Sequence, residues 1–466
     1  MSRESEMLFN GITNIDDAII ERAQRARPQN RRFYRRCMGP VAAMLAIAVL
    51  ANVLLRGDLI SSAYAVERAE YPKSAPRGLN TQEYDGAHSF IAESVPVFLS
   101  GAANGNCIYS PLSAYMALAM TAELTDGRSR AQILYALGES ELETLREHAN
   151  VIWNQNYLDD EVGKSILASS VWMDDSIQYE RDALQMLAAN YYASSFSGKM
   201  GSRGFDRAMQ SWLNGQTHGM LAGKAANEST RNNDAEIDVL TLASTVYFRG
   251  KWSAKFDKSV TASGTFHAPG SDTSCEFMGI KRMSGSYFWF EHFGAVAQNF
   301  TNGRCMWYIL PDEGVTPEEL LSDPELQTFL SSDKFEYTEN RKEVYINLTV
   351  PKFDIDAETE LSKGFQTLGV TDIFDQTVSS FTPLTRDRQL DGTGVWLAEA
   401  KQAARVTIDE DGCEATTYIK FNFGAGSGMP PTDEIDFTLD RPFLFAITNA
   451  WRGSGLPLFV GMVNQP

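Results

Sequence analysis

The chain has 466 residues and 43% hydrophobic content, ample for a large core, and its 60 acidic against 41 basic residues give a formal charge of −19. That balance excludes nucleic acid, or an anionic membrane, as the main partner of the bulk of the chain. Length alone admits one large domain or two to three average ones.

Charge is unevenly placed. Between Arg22 and Arg36 stand seven arginines and no acid, and the stretch Met38 to Leu55 that follows is apolar apart from Asn52. Residues 1–37 read as a basic leader and 38–55 as a membrane-targeting segment with its N-terminus inside. The length of that segment fits a signal-anchor and a signal peptide alike. Ala63-Tyr64-Ala65 has the A-x-A form of a signal-peptidase site, about ten residues beyond the apolar run. Cleavage stays open, and on either reading the remainder is expected outside the cell or at its surface. Residues 56–87, with Pro72 and Pro76, have the composition of a linker, so folding is expected from about His88.

From there the two periods of regular structure alternate in runs. "PLSAYMALAMTAEL" after Ser110 is alanine-rich and apolar all round, which predicts a buried helix opened by Pro111 at its first turn. "FDRAMQSWLNGQTHGML" sets Phe205, Met209, Trp212 and Leu213 on one stripe of a surface helix. "EVYINLTVPKFDI" alternates Val344, Ile346, Leu348 and Val350 as a half-buried strand does. Strict βαβ order is missing, so the pattern favours α+β. The five histidines show no metal spacing, and Cys37, Cys107, Cys275, Cys305 and Cys413 are scattered without C-x-x-C pairs, so no zinc site or disulfide framework is expected.

The stretch "DEDGCEATTYIKFNFGAGSGMPP", residues 409–431, is the most informative. Its glycines do not form a phosphate cradle, because Met429-Pro430-Pro431 and acids follow where a helix start and an anion binder are needed. Ser427 lacks the flanking glycines of a nucleophile elbow, since Ala425 and Met429 hold those places. Before them, Cys413, Ala415, Thr417, Ile419, Phe421 and Phe423 put an apolar or small side chain at every second position, with mostly polar residues between. That is either a strand ending in a hairpin loop, or a strand-capable segment with an exposed tail and two states, free loop and inserted strand.

Five blocks in order resemble the serpin family from about residue 88 onward: "NCIYSPLSAYMALAMTAELTDGRSRAQILYALG" (106–138), "LASTVYFRGKWSAKFD" (242–257), "VPKFDIDAETELSKGFQTLGVTDIF" (350–374), "DRPFLFAI" (440–447) and "PLFVGMVNQP" (457–466). The resemblance implies one α+β domain over 88–466, with three β-sheets, about eight or nine helices and an exposed reactive-centre loop. It further implies a suicide substrate with no catalytic residue and no cofactor or metal. A target serine protease cleaves the loop and is held as a covalent acyl-enzyme while the loop enters the main sheet.

Carried over by position, Gly412 is the hinge glycine, Glu410 precedes it, and Cys413, Glu414, Ala415, Thr416 and Thr417 continue the hinge. Cys413 stands where the family has threonine or serine. Tyr418, Ile419, Phe421 and Phe423 belong to the inserting strand; Tyr418 is bulky, and the period of two sends it to the outer face, where it is expected to slow insertion. The scissile bond falls about fourteen residues beyond Gly412, a sheet's length at ~3.3 Å per residue, which gives Gly426-Ser427, with the bonds after Met429 and Phe423 as runners-up. A glycine there suits a small, elastase-like pocket. Where the main sheet opens, Ser110 and Ser113 match the family, Trp252 matches the tryptophan near the entrance, and Ser244 and Gln402 replace an Asn and a His that usually bond each other. The expected partners are thus an elastase-like protease and, through an uncleaved N-terminal segment, a membrane. The chain is expected to be a monomer, and the arginine-led segment fits a bacterial member. A non-inhibitory serpin, acting as binding protein or plain protease substrate, is the alternative.

Overall fold

The computed structural model describes residues 63–72, 85–100, 105–161, 163–217, 240–331, 339–386, 395–413, 431–449 and 455–466. In chain order the elements are β1 (Tyr64–Glu67), α1 (Asp85–Leu99), β2 (Cys107–Tyr109), α2 (Pro111–Leu124), α3 (Gly127–Ala136), α4 (Leu142–Asn156), β3 (Leu158–Asp159), β4 (Gly163–Asp174), α5 (Arg181–Tyr191), β5 (Ala193–Gly198), α6 (Arg203–Gln216) and β6 (Leu240–Lys251). Then come β7 (Ala262–Phe266), β8 (Thr273–Trp289), β9 (Phe293–Asn299), β10 (Cys305–Pro311), α7 (Pro317–Leu320), α8 (Pro324–Ser331), β11 (Arg341–Pro351), β12 (Phe353–Glu360), α9 (Ser362–Thr367), β13 (Glu399–Ile408), β14 (Gly412–Cys413), β15 (Glu434–Thr438), β16 (Phe443–Thr448) and β17 (Pro457–Val463). Residues 61–466 form one compact unit.

The main sheet has the order β1-β5-β4-β6-β14-β13-β12, with β3 on β4. The second runs β15-β11-β8-β9-β10-β16-β17-β2, with β7 on β8. Two of the three expected sheets run together in it, because β8 and β11 pass through both halves. The join falls where the register slips between Ile346 and Leu348 and Arg282 takes a left-handed φ of 53°. The Arg282 amide donates to Asn347 Oδ1 there (3.0 Å), and its guanidinium lies 4.2 Å from the centre of the Tyr345 ring. The mixed architecture is the α+β fold expected from sequence.

Three elements show how local sequence positions the sheet. In α2, Pro111 takes the first turn and the Ser110 hydroxyl accepts the Ser113 amide as a cap. All of its residues are buried, so this helix is the floor of the main sheet. In α6, Ser202 caps the Phe205 amide, and Phe205 joins Trp172 and Ala243 in a small cluster that includes Met209, Trp212 and Leu213. The predicted stripe thus lies on the sheet's other face.

At the N-terminal side the expected linker over 56–87 contains a strand. Tyr64, Ala65 and Glu67 pair with Ser197, Phe196 and Ser195 of β5, Glu67 meets Arg181 at 3.1 Å, and Tyr71 lies against the rings of Trp153 and Tyr157. A Cβ on Gly198 would come within 2.7 Å of the Ala63 Cα, so the approach is tight. The free edge of β5 is satisfied by this pairing; four residues are too few to announce themselves by periodicity. The first helix also begins at Asp85, just before the expected boundary. Among the described residues no helix is long and apolar enough to cross a membrane; the segment 38–55 lies outside them.

Candidate functional site

The main sheet has a seam between β6 and β13 that is closed at one end and wedged open at the other. At the closed end the two strands pair in parallel from Glu399↔Thr241 to Ala404↔Val246. Their alternation sends Leu242, Val246 and Phe248 of β6, and Ala400, Ala404, Val406 and Ile408 of β13, into the core. Two hydroxyls also cross the seam: Thr245 Oγ1 donates to the Ala403 carbonyl at 2.9 Å and Ser244 Oγ to the Lys401 carbonyl at 3.4 Å.

Below it, Gln402 uses both ends of its amide on one residue. Its Oε1 accepts from the Ser110 amide at 2.8 Å and its Nε2 donates to the Ser110 carbonyl at 2.9 Å. Both residues are buried, where such paired bonds count most. Gln402 is the cross-strand neighbour of Ser244, yet its side chain reaches the helix cap rather than the serine. The usual side-chain pair is thus replaced by a strand-to-helix bond. Ser113 belongs to the same cap, donating its amide to Ser110 Oγ.

At the open end β13 turns through Asp409, Glu410 and Asp411 and returns as β14, antiparallel to both neighbours. Cys413 pairs with Ile408 on one side and Gly250 on the other, and Gly412 with Lys251. Cys413 is 2% exposed, so the chain has already entered the slot by one residue. The expected hinge glycine explains how: a Cβ at Gly412 would stand 2.3 Å from the Gly250 carbonyl oxygen, closer than any side chain tolerates.

The turn is held from all sides. Asp409 Oδ1 accepts the amides of Asp411 and Gly412 at 2.8 and 3.0 Å. Trp252 donates its indole N–H to the Asp409 carbonyl at 2.9 Å and its amide to the Asp411 carbonyl, while its ring stacks on Phe300 at 4.3 Å. Asp411 bridges Lys255 and Lys258 at 2.7 and 2.5 Å, whose hydrogen bonds hold its carboxyl below the usual carboxylate range. Burial alone would push Glu410 up, but Lys352 at 2.9 Å, the backbone and Thr261 together hold it below its ordinary value.

The structure therefore brings together Ser110, Ser113, Ser244 and Gln402 at one end, and Trp252, Glu410, Gly412 and Cys413 at the other. Glu414, Ala415, Thr416, Thr417, Tyr418, Ile419, Phe421, Phe423, Gly426 and Ser427 lie outside the described residues. Sequence reasoning does not reach Asp409, Asp411, Thr245 and the three lysines. The signal that was present is the opposition of the acids in "DEDG" to the lysines of "KWSAKFDK", two segments far apart in the chain. Among the described residues Cys107, Cys275, Cys305 and Cys413 form no disulfide.

The family model described as "Serpin (serine protease inhibitor)" matches residues 89–466. The chain is similar to Serpin-ZX of Arabidopsis thaliana, 26% identical with 78% of this chain and 93% of that protein covered. It is also similar to the leukocyte elastase inhibitor of Homo sapiens, 24% identical with 78% and 93% covered. Among solved structures, the thermophilic serpin tengpin in its native state matches with a TM-score of 0.71 and 23% identity, covering 87% of this chain and 100% of that one. AtSerpin1 of Arabidopsis in its native stressed conformation gives 0.66 and 24%, covering 82% and 97%.

Proposed function

Because the chain belongs to the serpin family, described as serine protease inhibitors, we propose that it is a suicide substrate for an elastase-like serine protease, cleaved at Gly426-Ser427. The observation that carries this reading is β14: the residue after the hinge glycine already sits between β6 and β13, and in the antiparallel sense that a following strand would continue. The protease's serine attacks the Gly426 carbonyl, the Ser427 amine leaves with a proton from the protease's histidine, and the acyl-enzyme ester forms on Gly426. Two fates then compete. Water hydrolyses the ester and frees the enzyme, or the segment beyond Cys413 enters the seam first and carries the enzyme away with it. A native state kinetically trapped short of that insertion supplies the driving force.

The lack of a side chain at Gly426 and the likeness to the human leukocyte elastase inhibitor both support an elastase-like target. Export, with a tether through residues 38–55 where that segment is kept, belongs to the same proposal and rests on the arginine-led apolar run. The test is to incubate residues 61–466 with an elastase and run a denaturing gel. A protease-sized shift that survives SDS is expected, with a released C-terminal peptide that begins at Ser427 by mass. Cleavage with no such complex would sink the inhibitory reading and leave a plain substrate.

A further inference from the structure

The seam carries the imprint of what enters it. Continuing the register of Gly412↔Lys251 and Cys413↔Gly250 along the 12 residues of β6 sets Phe423 opposite Leu240, where the alternating run ends and the glycines begin. The slot and the strand-capable segment are the same length. Continuing Cys413↔Ile408 along β13 and one residue past its start places Tyr418 opposite Ala403, Phe421 opposite Ala400 and Phe423 opposite Ala398. Each of the three largest side chains of the segment thus meets an alanine on the β13 side.

Parity agrees. Cys413 points into the core with Ile408, so Ile419, Phe421 and Phe423 follow it there, Ile419 arriving between Ser244 and Gln402. Tyr418 falls on the opposite face, which carries Thr245 beside Ala243 of the α6 cluster, together with Lys401 and Arg405 of β13. Ala403 is only 6% exposed on that face, although its neighbour on the other side is Glu358 of β12. Alanine is depleted in strands because it leaves the pleated surface unfilled, and an interior strand with alanines at 400, 403 and 404 forgoes packing that Val or Ile would give. A side chain that arrives later needs that room, since interiors overpacked by even a methylene or two are strained.

We propose that Ala403, Ala400 and Ala398 are the specificity-determining notches of the seam, cut to accept Tyr418, Phe421 and Phe423 of this chain's own segment 414–423. Tyr418 is then a matched knob rather than an obstacle. This rests on the inhibitory reading, and the two fail separately. The register is tested with the Y418C/A403C pair, whose Cβ atoms come within disulfide reach only when residue 418 lies opposite residue 403. The variant is cleaved in the loop by elastase, oxidised, and mapped by non-reducing peptide mass spectrometry, with Y418C/A404C, on opposite faces, as reference. Thermal unfolding before and after cleavage reports insertion without reference to trapping. The expected result is a rise in unfolding temperature on cleavage, a cross-link in Y418C/A403C and none in Y418C/A404C.

Function is read from Ala403→Leu, which should raise the ratio of inhibitor hydrolysed to protease trapped by about tenfold, the factor made by roughly 1.4 kcal/mol of overpacking. The rate of loop cleavage should stay unchanged, and adding Tyr418→Ala should restore the original ratio. If the cleaved wild-type protein gains no thermal stability, the inhibitory reading and the notches both fall. If it gains stability but the cross-link forms in the reference pair instead, or Tyr418→Ala does not rescue Ala403→Leu, the notches fall and inhibition stands.

Discussion

The two ends of one seam are built from different chemistry. The side-chain bonds that tie the closed end are buried and made by uncharged groups: Gln402 on the backbone of Ser110, Thr245 and Ser244 on carbonyls of β13. The open end is charged and partly exposed, with Asp411 on two lysines and Glu410 on a third. Buried neutral bonds resist salt and pH and break together, whereas exposed ion pairs are weak, screened and independently adjustable. A sheet that must stay shut over most of its length yet admit a strand at one end needs both.

The largest change should come from closing the open end to the chain. Gly412→Val pushes a side chain against the backbone of Gly250 and Lys251, neither of which can give, at a cost of about 3 kcal/mol. β14 is expected to leave the slot, and Cys413, protected in the wild type, should then react rapidly with a thiol reagent. Gln402→Ala attacks the other end. It leaves the buried amide and carbonyl of Ser110 without those partners, worth about 2 kcal/mol, and should lower the thermal midpoint while Cys413 stays protected.

Acidity should separate the ends without mutation. Asp411 and Glu410 have carboxyls held below their ordinary values. Their contribution is complete above the unfolded carboxylate range of about 4 and is lost as pH falls below it through the folded values. Lys258 and Lys352 are raised, so their contribution is complete below the unfolded ammonium value of about 10.4 and is lost as pH rises above it through the folded values. Trp252 fluorescence, which reports the turn through the bond to Asp409, should be flat between those limits and change outside them. In Asp411→Asn the acid limb should shrink. The smallest effect belongs to Ser244→Ala, which removes a single 3.4 Å bond and should lower stability by less than about 1 kcal/mol.

Much of this could be read from the sequence where a residue's neighbours are local. The Pro111 opening of α2, the stripe of α6 and the alternation of β11 follow from spacing, and Gly412 and Trp252 are found by resemblance. The partners in the seam are not local. Gln402 and Ser244 align with a familiar pair, but the glutamine amide, on two methylenes, passes the serine and reaches Ser110 nearly three hundred residues away in sequence. Lys255 and Lys258 have no periodic relation to Asp411, and only the fold brings them together. The choice of Gly426-Ser427 rests on counting and on pocket chemistry alone.

The strand at the edge of the main sheet bears on maturation. Ala63, Tyr64 and Ala65 have the form that a signal peptidase reads, and the last two begin β1, supplying two of its three registered pairs on β5. A cut after Ala65 would make Val66 the new N-terminus and leave Glu67↔Ser195 as the remaining pair. Processing at this site would compete with folding for one tripeptide, and the mass of the mature protein would record whether the cut is made.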